Sequence, residues 1–235
     1  MKDRMVPAAR RVRRRARRGA EAAASLGRRV GVLPHQPERW TSERWTDAYG
    51  SGQLEYYGML DELARYSLIV GYVGFFFPPG PDRTAPRILD VGCGTGLLRA
   101  RLDGVGVGDY VGVDLSPAAV EAAERRRLPR SRFVVGDVGA LDAGGFDVVV
   151  LNEMLYYVED VDGFLDRLGE LLEPSGLLLV SMWRHPGDRS LWHTVDERFP
   201  LVDRVEARNR ANELNPRGWL VSCHRRLPER PPEVR

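Results

Sequence analysis

The feature that most constrains this chain is the stretch Ile88-Leu89-Asp90-Val91-Gly92-Cys93-Gly94-Thr95-Gly96. An apolar run reaches an acid, breaks into glycines at every second position, and gives way to a helical pattern from Leu97 to Leu102. Strand, tight turn and helix follow in that order. Alternating glycines let the backbone take positive φ and let a ligand lie against it without meeting a Cβ. The first amides of the helix face the same ligand. A dinucleotide fingerprint, Gly-x-Gly-x-x-Gly, wants its third glycine one residue later. Leu97 stands there, which counts against a nicotinamide enzyme.

The pattern Asp90-x-Gly92-x-Gly94-x-Gly96 resembles the cofactor motif of class I S-adenosylmethionine-dependent methyltransferases, and Leu-Asp-Val-Gly-Cys-Gly-Thr-Gly is a common form of it. The resemblance covers about residues 53 to 226. It implies an α/β fold: a doubly wound, seven-stranded, mostly parallel sheet with a terminal antiparallel hairpin, preceded by a helical lid. It also implies that Gly92, Cys93, Gly94 and Gly96 cradle the cofactor while Asp90 helps to hold its methionine portion.

Strand and helix alternate beyond the motif as a parallel sheet requires. Tyr110-Val111-Gly112-Val113-Asp114 reads as a second strand, and Ser116-Pro117 opens the helix Ala118 to Leu128, with Ser116 as N-cap and Pro117 at the first helical position. A carboxylate at such a strand tip can accept both hydroxyls of a ribose lying across the strand ends. In the resembled family the acid matching Asp114 does that, with Leu115 beside it. Arg132 to Val138 is a third strand ending in Asp137; by resemblance Asp137 bonds the adenine amino group and the Val138 amide a ring nitrogen. Phe146 to Leu151 is a continuously apolar, β-branched strand of the kind buried on both faces, and it delivers Asn152, Glu153 and Tyr157 to the cofactor's methyl end. Asp160 to Leu172 is an amphipathic helix, Pro174-Ser175-Gly176 a turn, Leu177 to Met182 a fifth strand. Phe199 to Ala207 and Gly218 to Arg226 form the expected hairpin.

Four regions follow: a basic, disordered tail over 1–33, a linker and helical lid over 34–80, the class I domain over 81–226, and a polar tail over 227–235. The linker holds Trp40, Trp45 and Tyr49. The lid runs helically from Gln53 to about Phe76, with Leu54, Tyr57, Leu60, Leu63, Ala64, Leu68 and Tyr72 at three- and four-residue steps. Tyr56, Tyr57 and Trp45 are candidates for the substrate wall. Residues 1 to 30 carry eleven Lys or Arg against Asp3 and Glu21, about +9, which leaves about −7 elsewhere in a chain of net charge +2. Such a segment suits an acidic surface or a solvated tail. An alternative reading is therefore a non-catalytic cofactor-binding module that docks nucleic acid through the tail.

No apolar run reaches the roughly 18 residues a membrane span needs. Cys93 and Cys223 make no disulfide framework and predict a reducing, cytoplasmic setting. His35, His185, His193 and His224 are scattered, so no metal site is expected. Methyl transfer from a sulfonium asks chiefly that nucleophile, methyl and sulfur be held in line. If the acceptor must lose a proton, His185, after the fifth strand, is the first candidate base, followed by Glu153 and Tyr157.

Enzymes that methylate amino groups of nucleobases or protein glutamines carry two prolines after the fourth strand. Asn152-Glu153-Met154-Leu155 lacks them, which argues against a nucleic-acid substrate. The metal-dependent catechol type wants an Asp-Asn pair after the fifth strand, also absent. What is left is an oxygen or nitrogen of a small metabolite, natural product or saccharide, with S-adenosyl-L-methionine as donor. The oligomeric state is not readable from the sequence.

Overall fold

A computed structural model describes residues 40–81, 84–142, 144–209 and 217–226. The basic tail, the polar tail and the start of the linker lie outside these described residues. Seven strands form one sheet: β1 (Ile88–Val91), β2 (Tyr110–Asp114), β3 (Ser131–Val135), β4 (Phe146–Asn152), β5 (Leu172–Trp183), β6 (Leu201–Asn209) and β7 (Arg217–Arg225). Their order is β3-β2-β1-β4-β5-β7-β6, parallel from β3 to β5, with β7 antiparallel to both β5 and β6. The expected doubly wound sheet with its antiparallel end is present.

The order reverses between β1 and β4. The chain steps outward from β1 to β2 and β3, then returns to lay β4 on the other side of β1. Such a switch point opens a crevice at the carboxyl ends of the strands. β1 is pinned there by register on both sides, Asp90 lying between Gly112 and Val150.

Both faces are buried over β1, β2, β4 and the second half of β5, which is why those strands read as apolar runs, while β3 and β6 at the two edges are more exposed. Leu89, Val113, Val149, Leu151 and Val180 pack on one face with α5 (Val161–Leu171) and α6 (Arg189–Arg198). Ile88, Val148, Val150, Leu177 and Leu179 pack on the other with α2 (Leu63–Phe76), α3 (Leu97–Arg101) and α4 (Pro117–Glu124). Ser116 caps α4 by accepting the Ala119 amide at 3.2 Å, but the helix ends at Glu124, short of Leu128, and Arg127 beyond it takes a positive φ of 51°. Residues around Pro174–Gly176 bulge within β5: Phe146 pairs with Leu172, but Val148 pairs with Leu177.

The N-terminal region departs most from expectation. Part of the expected linker is a helix, α1 (Ser42–Gly50), started by the Thr41 hydroxyl accepting the Arg44 amide. The lid is broken rather than continuous: short 3-10 turns at Glu55–Gly58 and Leu60–Glu62 precede α2, and Met59 between them is extended. The buried stripe also differs. Tyr66, Ile69 and Val73 face the core, whereas Leu60 and Leu63 are 72% and 41% exposed.

His224 is fully buried on β7, its Nε2 2.8 Å from the Ser222 hydroxyl and its Nδ1 2.9 Å from the Phe199 carbonyl. Burial first, with the Arg204 charge, lowers its pKa against the opposing pull of the Phe199 carbonyl and Asp196. The unfolded chain therefore takes up a proton before the folded one, so stability falls as pH drops below about 6.5. In melting curves from pH 7.5 to 5, His224→Gln should flatten this decline.

Candidate active site

One cavity of about 600 Å³ opens at the carboxyl ends of β1 to β4. It gathers the expected cofactor residues from four strand tips: Asp90, Gly92, Cys93 and Gly94 after β1, Asp114 and Leu115 after β2, Asp137 and Val138 after β3, and Asn152, Glu153 and Tyr157 after β4. Gly96 belongs to the turn without lining the cavity. It caps α3 in the left-handed region at φ 72°, where its missing Cβ would stand 3.2 Å from Ala123 and Phe133. A Cβ on Gly94 would meet the Tyr49 hydroxyl at 2.7 Å. The loop is thus bare because α1 and α4 press upon it.

Asp114 fastens this loop. One carboxylate oxygen accepts the Gly94 amide at 2.8 Å, the other the Ser116 amide at 2.9 Å. Burial raises its pKa while the two amides oppose that. Each oxygen keeps a second lone pair, so both can accept from a ligand. Asp137 uses one oxygen to cap the turn Val138–Ala140 through the Gly139 amide at 2.6 Å.

Asp90 differs. It is 2% exposed, its Oδ2 accepts from the Tyr110 hydroxyl, and its Oδ1 has no partner. Burial first, with the Asp114 charge, pushes its pKa up to about 7 against the pull of Tyr110 and Arg65. A buried, unpaired carboxylate oxygen on a cavity wall asks for a cationic donor.

At the β4 tip the backbone is strained. Glu153 has φ 63°, sparse for a non-glycine residue. Its side chain holds it there: Oε1 accepts from the Ser181 hydroxyl at 2.7 Å, and Oε2 from the Tyr156 hydroxyl and the Trp183 amide, each at 3.0 Å. Burial raises its pKa, with Arg65 and Ser181 opposing. The three bonds stitch β4 to β5 and occupy the carboxylate. Tyr157 packs edge-on against Trp45 at 4.9 Å, and burial first raises its pKa.

His185 is not brought to this cavity. It is exposed, caps the turn Pro186–Asp188, and its Nδ1 accepts the Gly187 amide at 3.0 Å. His193 pairs with Glu197 on the surface of α6. Conversely, Tyr49 and Arg65 line the cavity and were not foreseen. Tyr49 was hidden because its helix read as linker. Arg65 did leave a signal: it is the one charge in Leu63–Phe76, three residues after Glu62.

A family model described as a methyltransferase domain matches residues 59–224. The chain belongs to the methyltransferase domain family. Among curated relatives of this domain, trans-aconitate 2-methyltransferase of Deinococcus radiodurans is 35% identical over 121 residues, 50% of this chain and 46% of that protein. Ubiquinone biosynthesis O-methyltransferase of Azorhizobium caulinodans is 42% identical over 100 residues, 40% of this chain and 39% of that protein. This chain thus spans less than half the length of either relative. Among solved structures, the N-methyltransferase NodS from Bradyrhizobium japonicum WM9, in complex with S-adenosylhomocysteine, aligns with a TM-score of 0.62 at 18% identity, over 77% of this chain and 98% of that one. The likeness shows the fold. No helix among the described residues is long and apolar enough to cross a membrane.

Proposed function

We propose that the cavity binds S-adenosylmethionine and that the protein transfers its methyl group to an oxygen or nitrogen of a small metabolite, natural product or saccharide. The observation that carries this reading is the unpartnered, buried Asp90 Oδ1 at the tip of β1, the place where the ammonium of the methionine portion would supply the missing donor. Asp114 then receives the ribose hydroxyls, Asp137 the adenine amino group and the Val138 amide a ring nitrogen. Gly92, Cys93, Gly94, Gly96, Leu115 and Asn152 shape the bed.

When bound, this cofactor supplies a methyl on a cationic sulfur, and the carbon–sulfur bond breaks as an acceptor lone pair forms the new one. What the chain contributes is position and exclusion of water. Trp40, Trp45, Tyr57 and Tyr157 wall the acceptor side. Glu153, held by three donors, fixes the β4 tip. Tyr157, with its raised pKa, acts as a hydrogen-bond partner at neutral pH. His185 would need to approach the cavity to serve as base.

Asp114→Ala removes the ribose acceptor and the anchor of Gly94 together, and should weaken binding by roughly 2 to 4 kcal/mol. Calorimetric titration with S-adenosylhomocysteine checks it, and unchanged affinity would reject the assignment. A methyl-transfer assay followed by mass spectrometry over candidate metabolites tests the activity itself.

A further inference from the structure

Helix α2 presents an outer ridge that nothing among the described residues covers. Leu63, Ser67, Gly71 and Phe75 stand four residues apart and are all exposed, so they share one side of the helix over about 18 Å. Met59 and Leu60 lead into this ridge, 55% and 72% exposed, and Phe75 ends it at 78%. Leu63–Phe76 carries a single charge, Arg65, and that side chain is buried on the inner side. A helix between core and water keeps its apolar stripe inward and its charged residues outward. This one is uncharged outward, and half of the exposed large apolar residues lie on it or just before it. A contiguous patch of this kind marks an interaction surface. Its surroundings indicate the partner. Arg101 lies over the Tyr66 ring at 4.2 Å and Arg225 over the Phe76 ring at 5.5 Å, so cations border the helix. The acids nearby are engaged: Glu62 with Arg65, Asp203 with the Tyr72 hydroxyl, Asp61 with Asn209. Outside the described residues the chain holds no Phe, Trp or Tyr, and residues 1–30 hold eleven Lys or Arg. Those compositions suit phosphate better than an apolar ridge. Two copies joined through α2 would bring like-charged borders together. A nucleic acid would leave the ridge in water. An anionic bilayer meets both demands, with acyl chains for the ridge and lipid phosphates for the arginines.

We infer that the protein docks on an anionic lipid surface, with α2 lying flat in the headgroup layer, Met59, Leu60, Leu63 and Phe75 inserted, and the basic residues 1–30 on lipid phosphates. Apolar insertion and polybasic attraction are each weak alone and together hold a protein at a bilayer without a spanning helix. This docking is separate from methyl transfer, and neither requires the other.

The test sediments the full chain with vesicles of phosphatidylcholine, alone or mixed with about 30% phosphatidylglycerol. The protein should bind the mixed vesicles about tenfold more tightly, and lose most of that preference as salt rises from about 50 to about 500 mM. Phe75→Ser combined with Leu60→Ser should weaken binding about tenfold. It should leave the melting temperature unchanged, because both side chains already face water. Glutamine at the seven arginines of residues 10–18 should abolish the preference for phosphatidylglycerol. Cys93 and Cys223 are buried, so a dye can be placed at a single new cysteine. An environment-sensitive dye on Phe75→Cys should shift to the blue with mixed vesicles. The same dye on Glu170→Cys, exposed on α5 over the other sheet face, should not. Equal binding to both kinds of vesicle, full binding by the Phe75→Ser, Leu60→Ser protein, or a Phe75→Cys dye that stays in water overturns the inference. Pairing of copies without vesicles that Phe75→Ser abolishes would give the ridge to a second copy and overturn it as well. So would capture of duplex DNA by a protein that ignores both kinds of vesicle.

Discussion

At pH 8 the Asp90→Asn protein, free of ligand, should melt above the parent and should no longer bind S-adenosylhomocysteine. Asp90 is buried with one oxygen bonded to Tyr110 and the other unpartnered, and its pKa of about 7 means that ionising it in place costs stability. An unfolded aspartate ionises near 3.9, so the free protein loses stability as pH rises from about 4 to about 7. Asparagine keeps the shape and the acceptor for Tyr110 but never charges. The gain above pH 7 is about 2 to 4 kcal/mol, which corresponds to roughly 5 to 15 °C in a chain of this size. Binding runs the other way. Affinity of the parent should fall about tenfold per pH unit below 7, as the carboxylate proposed to receive the ammonium takes up a proton. Scanning calorimetry and titration from pH 5.5 to 8.5 check both halves. An Asp90→Asn protein that melts lower than the parent at pH 8 would refute the account.

The second large effect lies at Arg65. Arg65→Met takes away the cation paired with the buried Glu62 carboxylate, 2% exposed, and the cation that acts on Glu153. Breaking a buried pair from one side costs about 3 to 5 kcal/mol, while replacing both partners by apolar residues is often nearly neutral. The double variant Glu62→Met with Arg65→Met should therefore recover most of the loss in urea denaturation. If the single and double variants are equally unstable, Arg65 works through its bonds to Asn152 and Tyr66 rather than through the ion pair.

The sheet and the gathering of the strand-tip acids at one cavity were legible because their signals are local. A strand buried on both faces reads as an apolar run, and a turn that a ligand and neighbouring side chains approach closely must be glycine. Asp90, Asp114 and Asp137 each follow such a run, and parallel register carries them to one edge. The aromatic wall was legible only in part: Trp45 and Tyr57 were candidates and line the cavity, Tyr56 does not, and the contacts that assemble the wall are long-range. Nothing near Trp45 in the sequence announces that it meets Tyr157, or that Tyr49 lies on Gly94. His185 misled for the converse reason: position after β5 suggested the cavity, but the Gly187 amide beside it offered its ring a local bond. The lid stripe failed because Leu60 and Leu63 obey a helical period that the extended Met59 interrupts.

Helix α1 is fastened to the turn after β2. The Ser42 hydroxyl donates to the Leu115 carbonyl at 2.6 Å, and the Thr46 and Ser116 hydroxyls lie 3.2 Å apart. Leu115 and Ser116 directly follow the acid proposed to hold the ribose, so if an occupant of the crevice steadies that turn, filling the crevice and clasping this helix are coupled. By thermodynamic reciprocity, whatever unlatches Ser42–Gly50, a blocking group on Ser42 or a protease cut beside it, must loosen the occupant by the same factor that the occupant shields those amides from exchange.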